Sequence, residues 1–310
     1  MAPPSRSPSK QRRPARPRPS RSPTGRAPAP SRARWALLGG LVAAIVVLGG
    51  ILTVAVRGSD GAAGGQIELA HVHGLGVDPG SGDLYAGSHY GLVRLPARGE
   101  PTRVSGVQDF MGFTVAGPDR FLASGHPGED QDGPPNVGLI ESTDGGRSWQ
   151  TLSLAGEADF HTLEARHGLV YGSNAGKLMV SRDGQTWDTR ASIEVADLAV
   201  SPEGPDTLLA TTQPGLVRSD DGGRSFQLVR DAPLLQLLTW TDTGTLIGVE
   251  PEGTVHASAD GGSTWQQRGT VGATPEALTA TEDEVHVAVE GGIVSSTDGG
   301  RTFRTRYQAD

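Results

Sequence analysis

The sequence predicts an all-β fold, a six-bladed β-propeller, preceded by one N-terminal transmembrane helix. Five copies of a Ser-x-Asp-x-Gly-x-Ser/Thr-aromatic pattern, one of them a residue short, recur every 38 or 39 residues, the length of one four-stranded blade. A sixth copy of the run before this pattern, Gly91 to Leu95, lacks the aspartate turn and completes a set of six. An uncharged stretch of 22 residues stands ahead of the repeats and is long enough to span a bilayer.

The N-terminal part divides into three segments. Residues 1–34 hold ten of the 27 Lys and Arg residues and no acidic residue, which predicts a disordered basic arm. Residues 35–56 are the predicted transmembrane helix, and a cleaved signal peptide is the rival interpretation. Because the ten basic residues precede this helix, the positive-inside rule predicts a plasma-membrane anchor with a cytoplasmic N-terminus and an extracytoplasmic propeller. Residues 57–66 are a predicted linker, and the propeller is expected over 67–310.

Charge and cysteine usage exclude several classes of function. After the basic arm, the chain contains 17 basic and 35 acidic residues, a surplus of negative charge that argues against a nucleic-acid partner. The membrane is the partner expected of the apolar stretch. The sequence has no cysteine, so disulfide bracing, thiolate metal binding and thiol redox chemistry are not available to it.

Each repeat is predicted to contain four short strands broken by Gly, Pro and Asp turns. The innermost strands align on one residue per blade: Leu75, Phe113, Leu163, Leu198, Leu238 and Leu278. A second β-rich run follows, then a third that begins with Gly, and the aspartate pattern is the expected hairpin between the third and fourth strands. Blade six is expected to supply its own fourth strand within 302–308. Whether 67–69 adds a closing strand stays open.

The repeated aspartates are predicted to hold turns and not to perform chemistry. Their carboxylates can accept turn amide protons and the Ser/Thr hydroxyl, the glycines take positive φ, and the aromatic packs on the neighbouring blade. Five interchangeable copies are typical of a scaffold. These structural aspartates are Asp144, Asp183, Asp221, Asp260 and Asp298.

The repeated segments, such as Ser142 to Trp149, resemble the Asp-box, or BNR, repeats of sialidase-like and sortilin-like propellers. The resemblance covers residues 71–310. Segments beginning at His71, Asp109 and Gly138 are further similar to bacterial membrane-anchored BNR proteins that carry the label glycosyl hydrolase. Such a resemblance implies the fold and an Asp-box face opposite the binding face, whereas the label rests on fold analogy alone.

Candidate site residues gather where the inner strands begin, on blades one to three. Residues two apart on a strand share a side, so His71 is expected to project with His73, Asp109 with Met111, and Asp159 with His161. The loops after the second strands add ligand-binding candidates at the same face: His89, Tyr90 and His126.

This set of residues allows several interpretations. Imidazoles with carboxylates suit zinc or copper, and a thioether favours copper, so one hypothesis is a metal site. Its ligands would be His71, His73, Met111 and His161. A pocket for a small-molecule, glycan or protein ligand without metal is the second interpretation. The third is that these side chains are hydrogen-bonded channel groups that hold water.

A glycoside hydrolase of the BNR type is the alternative function. It requires two carboxylates about 5–9.5 Å apart, and Asp109 and Asp159 are the catalytic candidates. A true sialidase is not expected. Sialidases bind the substrate carboxylate with arginines, but the candidate arginine, Arg94, falls on a third strand. They also use a tyrosine nucleophile activated by a glutamate, and none of the four tyrosines pairs with an evident Glu. A protein assembly or interaction module is a further alternative. The expectation is a membrane-anchored propeller that recognises a ligand at the face of blades one to three.

Overall fold

The computed structural model of the chain describes residues 67, 69–106, 108–129 and 131–308. The predicted basic arm, transmembrane helix and linker lie outside these described residues. Within the described residues, no helix has the length and apolar character needed to cross a bilayer.

The described residues form six four-stranded antiparallel sheets, which confirms the predicted all-β, six-bladed propeller. Each blade uses four strands consecutive in the chain, with the first strand innermost. Blade one consists of β1 (Val72–Val77), β2 (Leu84–Ser88), β3 (Gly91–Leu95) and β4 (Thr102–Arg103). Blade two consists of β5 (Asp109–Gly117), β6 (Arg120–His126), β7 (Leu139–Ser142) and β8 (Gln150–Ser153). Blade three consists of β9 (Thr162–Arg166), β10 (Leu169–Asn174), β11 (Lys177–Ser181) and β12 (Trp187–Ser192).

The second half of the ring repeats this order. Blade four consists of β13 (Asp197–Val200), β14 (Leu208–Thr212), β15 (Gly215–Ser219) and β16 (Gln227–Leu228). Blade five consists of β17 (Leu237–Trp240), β18 (Leu246–Val249), β19 (Thr254–Ser258) and β20 (Gln266–Thr270). Blade six consists of β21 (Pro275–Ala280), β22 (Val285–Val289), β23 (Gly292–Ser296) and β24 (Arg304–Gln308). Apolar side chains fill the spaces between neighbouring blades and form the core.

The ring closes without a shared strand. Blade six supplies its own fourth strand, as the sequence predicts, and β21 packs against β1. Ile67 and Leu69, the described residues of the segment 67–69, belong to no strand. Leu69 is buried in the apolar cluster between blades one and six, and the Tyr307 hydroxyl donates a hydrogen bond to the carbonyl oxygen of Ile67.

The aspartate turns have the predicted geometry. In the turn of blade two, Asp144 Oδ1 accepts hydrogen bonds from the backbone amides of Arg147 and Ser148, and Oδ2 accepts the Ser148 hydroxyl at 2.6 Å. The second glycine of the turn, Gly146, has φ +84°, and a Cβ there would lie 2.2 Å from the side chain of Leu92 on blade one. Glycine is therefore required both for the turn and for packing against the preceding blade.

Candidate functional site

The inner ends of blades one to three bring the predicted side chains to one region. His73 lies on β1 and Asp109 opens β5, while Asp159 and His161 lie just before β9. His89 follows β2, and His126 ends β6. His73 and His161 line one end of a central cavity of about 1020 Å³, which the inner strands surround. These six side chains, His73, His89, Asp109, His126, Asp159 and His161, are called the His–Asp network.

Direct contacts join the His–Asp network from end to end. Its first half runs from His73 to His126. Nε2 of His73 lies 3.2 Å from Nε2 of His89, whose Nδ1 lies 2.5 Å from Oδ1 of Asp109. The other carboxylate oxygen of Asp109 lies 2.8 Å from Nδ1 of His126. A single carboxylate therefore binds two imidazoles, one from the loop after β2 and one from the end of β6.

The second half of the network continues onto blade three. Nε2 of His126 lies 3.5 Å from Oδ2 of Asp159, and the same oxygen lies 3.0 Å from Nε2 of His161. Oδ1 of Asp159 is buried without a hydrogen-bond partner among the described residues. Such a buried oxygen is an open acceptor for water or ligand.

Members of the network have pKa values that are shifted in different directions. Burial lowers the pKa of His73 to about 4, an effect that the neighbouring His89 reinforces and that Asp109 opposes. Hydrogen bonds to carboxylates raise the pKa of His89, through Asp109, and of His161, through Asp159. Burial alone would raise the pKa of Asp109, but the hydrogen bonds with His89 and His126 outweigh it and hold this pKa below its usual value. Asp109 is therefore an ionised carboxylate at neutral pH.

The other predicted site residues lie beside the network but do not join it. His71 is exposed, has φ +49°, and its Nδ1 lies 3.6 Å from Glu276 Oε1 on blade six. The other oxygen of Glu276 accepts a hydrogen bond from the backbone amide of Val72. Met111 on β5 is half-buried, and Tyr90 is exposed in the loop after β2.

The side chains of the four predicted metal ligands do not converge on one position. Among the described residues, no group of three or more His, Asp or Glu side chains is arranged to hold a metal ion. His161 is engaged with Asp159, and His71 lies near Glu276. The metal set His71, His73, Met111 and His161 stays a prediction.

The two catalytic candidates are close, but a side chain fills the space between them. The imidazole of His126 contacts Asp109 on one side and Asp159 on the other. A glycosidase needs room for the scissile bond between its two carboxylates and needs one of them protonated. The His126 ring occupies that room in this arrangement, and the ionised Asp109 suits the role of nucleophile or base but not that of the general acid.

Sequence reasoning missed two carboxyl groups deeper in the channel. Burial raises the pKa of Glu164 to about 8 and that of Asp197 to about 7. Asp197 accepts hydrogen bonds from the backbone amides of Leu198 and Leu238 and so joins blades four and five. The described residues offer Glu164 no hydrogen-bond partner. The available signal was an acidic residue directly beside the aligned inner-strand residues Leu163 and Leu198.

Comparisons with solved structures support the propeller fold. A GH74 enzyme from Niastella koreensis is 14% identical with a TM-score of 0.57, over 78% of this chain and 46% of that enzyme. A gluconolactonase from Xanthomonas campestris is 12% identical with a TM-score of 0.58, over 79% and 88% of the two chains. A chain of a nidogen/laminin complex is 11% identical with a TM-score of 0.58, over 73% and 95%.

These similarities establish the fold alone, since all three identities are low. This chain spans less than half the length of the GH74 enzyme. No protein-family model matches the sequence, and no curated protein matches it either. The Asp-box resemblance of the repeats therefore stays a prediction at the level of family.

Proposed function

We propose that this chain is a membrane-anchored extracytoplasmic propeller that recognises a polar ligand at the face of blades one to three. The observation that carries the proposal is the His–Asp network, a continuous set of donors and acceptors at the mouth of the channel. A ligand with several hydroxyl or amine groups fits such a set, because imidazole and carboxylate can donate to it and accept from it.

The exposure of the network favours ligand recognition over a purely structural role. The side chain of His161 is 58% exposed, and those of His89 and His126 are 37% and 36% exposed. Contacts between groups this exposed contribute little to folding stability. Apolar side chains between the blades hold the ring together, so the network is free to serve binding.

A glycan or another sugar-derived molecule is the ligand class to test first. The gluconolactonase of similar fold is important in glucose secondary metabolic pathways. GH74 enzymes, one of them a xyloglucanase, share the same fold. Shared fold does not transfer activity, so these neighbours only guide the choice of probes.

The test uses the full-length chain, solubilised in mild detergent, on an array of neutral and acidic oligosaccharides with EDTA present. We expect binding to specific glycans that weakens at least about tenfold in His126→Ala and in Asp159→Asn, since each removes polar partners of the ligand. Asp221→Asn, which changes an Asp-box turn, is the matched control and should bind as wild type. Equal binding by all four proteins, or no binding by wild type either in EDTA or with added Zn²⁺ or Cu²⁺, would refute glycan recognition at this face.

Glycoside hydrolysis by Asp109 and Asp159 is the second candidate, because the network brings both carboxylates to one face. It requires the His126 ring to move out of the space between them. Turnover of aryl glycosides by wild type, lost in both Asp109→Asn and Asp159→Asn and retained in Asp221→Asn, would establish it. Our proposal expects no turnover.

A further inference from the structure

The contact between His73 and His89 differs from every other contact of the network, because it joins two nitrogens. Their Nε2 atoms lie 3.2 Å apart, with ring centroids separated by 4.7 Å and ring planes at 75°. In a neutral imidazole, one nitrogen is a lone-pair base. Two such bases attract each other only when a proton or another cation lies between them.

Asp109 decides which nitrogen of His89 carries the proton. Its Oδ1 lies 2.5 Å from Nδ1 of His89, so Nδ1 donates the hydrogen bond and Nε2 of the neutral ring turns its lone pair toward His73. A carboxylate behind an imidazole is the arrangement that orients metal-binding histidines in proteins. No described residue hydrogen-bonds Nδ1 of His73, so this ring can keep its proton on Nδ1 and direct its own Nε2 lone pair to the same place.

The spacing of the two nitrogens fits a bound metal ion. Zinc–imidazole bonds are about 2.0–2.1 Å long, so two nitrogens bound at angles between 90° and the tetrahedral value lie about 2.9–3.4 Å apart. The observed 3.2 Å falls within this interval. His71 offers a further imidazole, with its ring centroid 5.6 Å from that of His89 and its side chain 67% exposed.

We propose that His73 and His89 bind one divalent transition-metal ion, Cu²⁺ or Zn²⁺, between their Nε2 atoms, with Asp109 holding His89 in position. The inference rests on the proposed function, since it takes the face of blades one to three as the ligand-binding face. It differs from the four-residue set expected from sequence in using His89 and in leaving His161 to Asp159. With two protein nitrogens, or three when His71 turns inward, the ion keeps positions open for water or a ligand donor atom.

The test is titration of the metal-stripped full-length chain with Cu²⁺ and with Zn²⁺, followed by isothermal calorimetry, and by electron paramagnetic resonance for copper. We expect one ion per chain with imidazole nitrogen splitting in the copper spectrum. His73→Ala and His89→Ala should each weaken binding at least about 100-fold, because each removes one of two protein nitrogens. Asp109→Asn should weaken it about 10- to 100-fold.

Controls distinguish metal binding at this site from metal binding by other histidines and from loss of the folded state. His256→Ala removes an imidazole that pairs with Glu250 on blade five, and it should bind metal as wild type. His89→Gln keeps a polar side chain in place of the ring, and melting curves of all variants verify folding. Absence of a stoichiometric ion in wild type, or unchanged binding in folded His73→Ala and His89→Ala, overturns the proposal.

Failure of the metal site and failure of ligand recognition give different results. Glycan binding in EDTA that depends on His126 and Asp159, by a chain that binds no metal, overturns the metal site and leaves the proposed function intact. An ion held by His73 and His89 in a chain that binds no glycan supports the metal site and refutes glycan recognition.

Discussion

Replacing Glu164 by Gln should remove a pH-dependent loss of stability. This side chain lies in the wall of the central channel, where burial raises its pKa from 4.5 to about 8 while Arg166 opposes the increase. When the pKa of a carboxyl group is higher in the folded state than in the unfolded state, the group makes its full contribution to stability at pH values below its pKa in the unfolded state. That contribution is lost as the pH rises through the folded pKa. The wild-type chain should therefore lose stability between about pH 4.5 and pH 8, and the Gln variant should lose less.

The structure sets the size of the effect. One pKa unit corresponds to about 1.4 kcal/mol, so the interval between 4.5 and about 8 sets an upper limit near 5 kcal/mol. Glu164 is half-buried by exposed area because it faces the channel, and water there stabilises the charged form. We therefore expect the variant to gain about 1–2 kcal/mol over wild type on going from pH 5 to pH 9, which allows for this screening.

The assay is urea unfolding followed by tryptophan fluorescence at pH 5, 7 and 9. Glu252→Gln is the matched control, since Glu252 is exposed on the turn between β18 and β19. A constant stability difference between wild type and Glu164→Gln across the whole range would refute the reasoning. It would mean that the folded and unfolded states bind the Glu164 proton equally well.

Three further predictions concern the scaffold. Phe160→Ala empties a fully buried position between blades two and three and should cost about 3–5 kcal/mol in guanidinium unfolding, whereas Phe160→Leu should cost less. Asp221→Ala removes acceptors for the Ser225 hydroxyl and two backbone amides, so the melting temperature should fall while any ligand binding is unchanged. Arg306→Ala removes the hydrogen bond from β24 to the Pro96 carbonyl oxygen after β3, so hydrogen exchange should accelerate in β3 and β24 and stay unchanged in β13. An unchanged free energy of unfolding in Phe160→Ala would contradict the first prediction. An unchanged melting temperature in Asp221→Ala would contradict the second, and unchanged hydrogen exchange in Arg306→Ala the third.

The fold could be predicted from sequence because its determinants are local and repeated. Ser142, Asp144 and Gly146 lie within one turn, and their hydrogen bonds and positive φ follow from residue type and spacing. A related arrangement recurs in the other four aspartate turns and fixes the blade length, and the sixth blade follows from the copy without the turn, Gly91 to Leu95. The ring closure at Leu69 could not be predicted, because it depends on contacts between the two ends of the propeller.

The candidate site could be predicted only in part. Period-two alternation predicted that His161 lies beside Asp159, and the two side chains are in contact, although both residues precede β9 and do not belong to it. It could not show that His89 bridges His73 and Asp109, because loop side chains have no periodic direction. Nor did it show that the His126 ring lies between Asp109 and Asp159, which depends on how two neighbouring blades are rotated against each other.

The seam between the first and last blades has a mechanical consequence. A shared strand would resist force by shearing a whole ladder of hydrogen bonds at once, but here the described strands of the two blades belong to separate sheets, and the blades meet through apolar side chains and polar contacts. A pull on the chain ahead of residue 67 acts first on the buried Leu69 and on the bond between Tyr307 and the Ile67 carbonyl oxygen. These contacts can break one after another, so the ring is expected to open at its seam under a lower load than would unravel any single blade.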